Sequence, residues 1–389
     1  MEIREYKKLV ITLNRTRSVS LPDIGRSLRS NPDLAAAVIF AGATTAAVPF
    51  SLPAMLGSIN TSLISILFCL MAIIAGLRQG GILTYSYRLL FSDTVSSRRL
   101  VRFFVFSCFT MSMAVTNDVA LIIFVPLAVM VLQAAGMQSH LIFAVTFQTI
   151  AANMGSILTP IGNPQNLFIY SYYHMTLWEF LKVTGPITAV SGILLYLISF
   201  YIPNYPVDIP SVPAPVMKKR TVLVLICLLG LCILTVLRVL TPAILVGIVC
   251  PVLFLTDRSV FRGVDYKLIL LFIFLFIGVG NLGRLPFFAD GTAALLQGHE
   301  LFVSLLLSQV LSNVPTTVLL APYTQHAQPL LAGVNIGGLG TIIASMASII
   351  SFKVYADCRD SRPVRYLLIF TTVNMVFLLS VLAAWCLLE

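Results

Sequence analysis

The chain has 389 residues, 58% of them hydrophobic and only 10% charged, with a mean hydropathy of +0.96. Soluble domains carry about 25% charged residues, so this composition excludes a water-soluble fold and indicates an integral membrane protein. The net charge of +10 sits mostly between apolar runs, a pattern of basic cytoplasmic loops rather than of a nucleic-acid surface.

Residues 1–33 form a polar, basic segment without the short charged start and immediate apolar run of a cleavable signal. Its expected place is the cytoplasm. Spans of helical length follow at 34–56 and 61–77, and Arg78 ends the second as an interfacial anchor. The next apolar stretch, 103–132, is interrupted by Thr116, Asn117 and Asp118. Asp118 is the only Asp, Glu, Lys or Arg between Arg102 and Glu179. An intramembrane carboxylate is a functional candidate by default; the competing role is a plain helix cap. The arm 103–115 alone covers roughly 20 Å at 1.5 Å per residue, short of a core of about 30 Å. The stretch is therefore either a re-entrant hairpin or one long broken span.

A span at 138–158 runs into TPIGNPQN at 159–166. Two prolines in an apolar run indicate a broken helix lining a cavity, with Asn163, Gln165 and Asn166 supplying amides. A span at 180–202 leads to a Pro-rich cytoplasmic linker, 203–220, and a linking span within 221–241. Spans at 242–256 and 267–284 precede a second interrupted stretch, 301–322, broken by SNVP at 312–315. The run 330–352 carries NIGGLGTI, and 366–388 closes the chain. The first transmembrane repeat is 34–202 and the second 242–389.

The two halves correspond in sequence. Asn117 and Asn313 each precede a proline by nine positions. Asn153 is followed two and six positions later by Gly155 and Thr159; Asn335 is followed likewise by Gly337 and Thr341. With both interruptions read as hairpins, 22 of the 25 Lys and Arg fall on the cytoplasmic side, against 19 for single spans. The hairpin arrangement puts the amino terminus inside and the carboxyl terminus outside, as two inverted repeats require. The expected fold is all-α, with about nine full spans and two re-entrant hairpins. Half-helix amino termini converging near the midplane suit an anion, and freed carbonyls and Asn, Ser and Thr oxygens suit a small cation. The seven cysteines lack metal-ligand spacing, His140, His174, His299 and His326 lie near expected interfaces, and Arg284 ends its span as another anchor. There is no HExxH, no GxSxG with a partner histidine and no phosphate-binding loop of ATPases, so neither an enzyme nor a cofactor is expected.

TNDVALIIFVPL, NMGSILTPIGNPQNL and SNVPTTVLL resemble signatures of the ion transporter superfamily. They are closest to its citrate transporter-like and arsenite permease branch, related to divalent-anion:sodium symporters and NhaD-type antiporters. The resemblance spans roughly residues 60 to 355. It implies a homodimer in which a transport domain slides against a fixed scaffold. It implies substrate contacts at Thr116, Asn117, Asn163, Ser312, Asn313 and Thr316. The first ion site would use Asn117, Asp118, Asn153, Gly155 and Thr159; the second, Ser312, Asn313, Asn335, Gly337 and Thr341. Sodium would sit near Asn117, Asp118 and Gly155 and near Asn313 and Gly337. Asp118, in place of the third tip residue, and Val-Pro after Asn313 move the match toward antiporters and arsenite permeases. The expectation is a secondary active transporter of a bacterial inner membrane. It would move a di- or tricarboxylate such as citrate, or an oxyanion such as arsenite, as symporter or antiporter on a proton or sodium gradient. The alternatives are a sodium/proton antiporter without organic substrate and a passive anion channel.

Overall fold

A computed structural model describes residues 32–80, 94–208, 219–358 and 361–388. Nearly all of the basic segment 1–33 and most of the linker 203–220 lie outside these residues. The described chain is all-α apart from one short antiparallel pair, β1 (Thr94–Ser96) with β2 (Pro206–Asp208).

The first half comprises α1 (Pro32–Ala47), α2 (Leu52–Ser58), α3 (Thr61–Gln79), α4 (Ser97–Val115), α5 (Asn117–Ala134), α6 (Leu141–Ser156), α7 (Pro164–Tyr172) and α8 (Leu177–Ile198). The second comprises α9 (Lys219–Val236), α10 (Pro242–Thr256), α11 (Tyr266–Leu282), α12 (Pro286–Leu296), α13 (Glu300–Leu311), α14 (Asn313–Leu320), α15 (Ala327–Ile336), α16 (Met346–Ala356) and α17 (Pro363–Leu388). Helix starts follow local chemistry. Asn60 caps α3 through Leu63 N–H, Thr176 and Glu179 form a capping box on α8, and Pro164, Pro242 and Pro286 open their helices without losing a bond.

Three expectations are corrected. The span 34–56 is two helices, because Pro49 and Pro53 cannot donate backbone hydrogen bonds and Ser51 caps α2. The first hairpin arm begins at Ser97 rather than Phe103. Arginine is a good helix former, and Ser96 caps the arm by accepting from Arg99 N–H. The span ending at Arg284 turns by 103° into α12, a helix the sequence reading left out. Among the described residues, four helices are long and apolar enough to cross a membrane by themselves: Thr61–Gln79, Asn117–Ala134, Leu177–Tyr201 and Pro363–Leu388.

The helices pack as two groups. In one, α1 lies on α11, and α3 lies on α9 and α10. Close approach is built in, since α1's Phe40 covers Gly278, and Asn281 donates to Thr45 at 2.9 Å. In the other group, α4 and α5 pack on each other and on α6, α13 packs on α14 and α15, and α8 lies on α6 and α15. Contact between the groups runs chiefly through α14 on α11 and through α5 and α7 on α3.

The span α8 orients both hairpins. At its carboxyl end, Ser97 at the start of α4 bonds to Pro203 and Tyr205. At its amino end, Tyr173 donates to the carbonyls of Ala321 and Thr324, just beyond α14. The two hairpins thus open toward opposite ends of α8.

Candidate functional site

Both hairpins reverse at one residue held in a conformation L-residues avoid: Thr116 (φ 103°) and Ser312 (φ 69°). The following amides dock on the broken helices. Asn117 N–H donates to Gly162 O at 3.2 Å, and Asn313 N–H donates to Ala344 O at 3.0 Å. The Thr159 hydroxyl bonds Met113 O at 2.5 Å, and the Thr341 hydroxyl bonds Gln309 O at 2.9 Å. Met113 and Gln309 each lie four residues before the tip asparagine. Gly155 lies against the Phe109 carbonyl and Gly337 against the Leu305 backbone, and a Cβ at either would overlap backbone atoms. These two glycines therefore let the broken helices seat directly on the incoming arms.

The halves exchange bonds at the centre. Asn153 Oδ1 accepts from Asn117 Nδ2 at 3.1 Å and from the Ser345 hydroxyl at 3.0 Å. Asn163 Nδ2 donates to Asn335 Oδ1 at 3.4 Å, and Asn335 Nδ2 donates to Asn166 Oδ1 at 2.7 Å. Asn153 Nδ2 reaches Gly338 O at 3.4 Å. These side chains are buried, with Asn163 and Asn335 each 2% exposed, and their mutual bonds meet the cost of removing amides from water.

The expected residues divide by what they do here. Asn117, Asn153, Asn163 and Asn335 are joined in the network, and Ser312 donates to Ala344 O at 3.4 Å. Asp118 is not the cap of α5. It is the second helical residue, half-buried, and among the described residues its carboxylate has no hydrogen bond or ion pair. Among the described residues, Thr316 has a buried hydroxyl without a partner, and the Asn313 side-chain amide makes no hydrogen bond. The Gly337 carbonyl is taken by Gln309 Nε2 at 2.8 Å. Arg284 holds Pro49 O at 2.9 Å, while Arg78 is half-buried with an unpaired Nε. Among the described residues no group of three His, Cys, Asp or Glu could hold a metal.

Four helix amino termini meet at this centre: α5, α7, α14 and α16. Asn163 caps α7 with its own side chain, at 2.9 Å from Asn166 N. Thr116, Ser312 and Ser345 make no side-chain cap, although the N–H groups of Asn117, Asp118 and Asn313 already have partners in Gly162 O, Asn117 Oδ1 and Ala344 O.

Ser345 and Gln309 were not singled out in the sequence. Ser345 stands in the second block where Asn163 stands in the first, so extending that correspondence would have found it. Gln309 is a lone amide in an apolar arm. Its side chain bonds the carbonyls of Gly337 and Leu339 and the N–H of Thr341.

The citrate transporter family profile matches residues 31–351. An uncharacterized transporter of Methanocaldococcus jannaschii is 32% identical over 325 residues, covering 82% of this chain and 87% of the relative. The inner membrane protein YbiR of Escherichia coli is 32% identical over 318 residues, 80% of this chain and 84% of that one. The solved YdaH transporter of Alcanivorax borkumensis shares the fold with a TM-score of 0.53, at 17% identity and 86% coverage of both chains.

Proposed function

Since the chain belongs to the citrate transporter family of integral membrane transporters, we propose that it is a secondary active transporter of a small anion, a carboxylate or an oxyanion. The observation that carries the anion is the set of helix ends. Three uncapped amino termini, α5, α14 and α16, converge where the halves exchange bonds. Unfilled N–H groups and helix dipoles bind negative charge. Among the described residues, the Asn313 amide and the Thr316 hydroxyl are donors without a partner on α14.

Coupling falls to Asp118. A carboxylate binds a proton and a cation in competition, so a cation site built with it weakens as pH falls. Beside it is Asn117, whose side-chain oxygen accepts from Asp118 N–H at 2.9 Å. The second site, around Ser312, Asn313, Asn335 and Thr341, offers only neutral oxygens. Proton participation at the first site is therefore favoured over two equivalent sodium sites.

The matched tips and exchanged bonds support two inverted repeats with re-entrant hairpins. The grouping of α4–α8 with α13–α17 supports an elevator in which that group moves against α1–α3 and α9–α11. The amino terminus is assigned to the cytoplasm of an inner membrane, as the basic loops favour, and the protein to a homodimer. The test is uptake by proteoliposomes of citrate, succinate, arsenite and sulfate, with a proton gradient alone and then a sodium gradient alone, at several pH values. Accumulation of one anion against its gradient supports the reading. Equilibration without accumulation would identify a passive channel, and sodium/proton exchange with no anion flux would identify an antiporter.

A further inference from the structure

We propose a binding site for an anionic phospholipid headgroup at the open end of the first hairpin. The site is a cavity of about 450 Å³ lined by Ser96, Arg98, Arg99, Arg102 and Asn204. It lies apart from the exchanged-bond centre, at the other end of α4.

Three arginines in the first turns of α4 occupy the wrong end of a helix, where the dipole repels cations. Nothing among the described residues neutralises them, since none has a carboxylate within ion-pair range. Two are held in place by their Nε atoms. Arg98 Nε donates to Ile202 O at 2.9 Å, and Arg102 Nε to Ser199 Oγ at 2.6 Å. Their outer nitrogens are not used in this, and Arg102 Nη2 is buried without a partner. Asp208, opposite Thr94 at the end of the strand pair away from α4, accepts from the Thr94 hydroxyl. A planar guanidinium fixed at Nε offers its remaining N–H groups to a phosphate.

The same arginines carry the site to the bilayer. Arg102 stacks over Tyr196 and Phe200, at 4.6 and 4.2 Å from their ring centroids, and Arg98 over Phe200 at 5.4 Å. Those rings belong to an exposed stripe of helical spacing on α8 and its last turn: Ile193, Tyr196, Leu197, Phe200 and Tyr201. Tyr201 is 85% exposed. Aromatic residues at a span's end mark headgroup depth. An acyl chain along the stripe would place its phosphate at the arginines, which a free phosphate would reach without using the stripe. The cation excess fits an acidic leaflet.

The test uses the full-length protein purified in mild detergent, with phosphatidylglycerol, phosphatidylcholine or inorganic phosphate added at matched concentration. Lipid retention is read by native mass spectrometry and stability by thermal shift. Phosphatidylglycerol should be retained and should raise the melting temperature, phosphatidylcholine should do so far less, and phosphate alone should do neither. Arg98→Gln with Arg99→Gln should weaken phosphatidylglycerol retention about fivefold for each arginine removed, while Arg258→Gln, a change at an arginine outside the cavity, should not. Arg99→Gln alone, at an exposed residue whose side chain makes no hydrogen bond among the described residues, guards against misfolding of the double variant. Equal retention of the two lipids, a full shift from phosphate alone, or undiminished retention in both arginine variants would overturn the site.

Discussion

Asp118 combines two properties that rarely coexist: it is the sole charge in a long apolar stretch, and its carboxylate has no partner among the described residues. A structural carboxylate at membrane depth would be paired. Asp118→Asn keeps size and first-turn geometry but removes the exchangeable proton and the full charge. The expected outcome is a folded protein whose gradient-driven flux in vesicles is lost; coupled transport at the wild-type rate would return Asp118 to a structural role. The two tip asparagines now separate in expectation. Asn117 spends its amide on Asn153 and its carbonyl on Asp118 N–H, while Asn313 spends neither. Asn313→Ala should therefore weaken substrate affinity about 5- to 150-fold, or 1–3 kcal/mol, with little change in melting temperature. Asn117→Ala should mainly lower thermal stability. Binding titrations and melting curves on both variants check the split, and an unchanged affinity in Asn313→Ala would remove it from the site.

Helix breaks were the most legible elements. Polar residues inside apolar runs located both tips and both broken helices, because unpaired backbone at membrane depth needs polar company. The bend between α1 and α2 escaped notice because Pro49 and Pro53 stand among apolar residues, leaving hydropathy unbroken. The helix α12 escaped because Asp290 and Gly291 dilute its apolar character. Pairing across the halves was legible only where the residue type repeats. Gly155 and Gly337 repeat, while Asn163 and Ser345 share a role without sharing a side chain. Gly155→Ala drives a Cβ into the Phe109 carbonyl, so it should abolish folded expression. Gly230→Ala, on a face of α9 with nothing near, should be neutral or stabilise by about 0.5–1 kcal/mol. Size-exclusion profiles of the two variants separate a packing constraint from a general intolerance of alanine in these helices.

Across the whole molecule, the hydrogen bonds at the two ends of α8 set the two hairpins toward opposite ends of that helix, and the proposed sidedness would put the Ser97 end in the cytoplasm. In a cysteine-free background, Ser139→Cys should react with a membrane-impermeant reagent from the cytoplasmic side and His326→Cys from the outside. Ser139 is exposed and avoids the positive φ of Gly136 beside it (71°). Labelling of both from one side would break the inverted arrangement.

The exchange of bonds between Asn163 and Asn335 and between Ser345 and Asn153 has a consequence for biosynthesis. The chain leaves the ribosome from its amino end, so the first broken helix enters the membrane before residues 335 and 345 exist. For that interval its buried amides have no protein partners and must be served by water or by the insertion machinery. A chain stopped at residue 218 should therefore insert yet remain cleavable by protease around 157–163. Residues 219–389 supplied as a second chain should restore resistance. A truncated chain that resists protease by itself would mean that the first half completes its own interior, and that the second arrives at a finished surface.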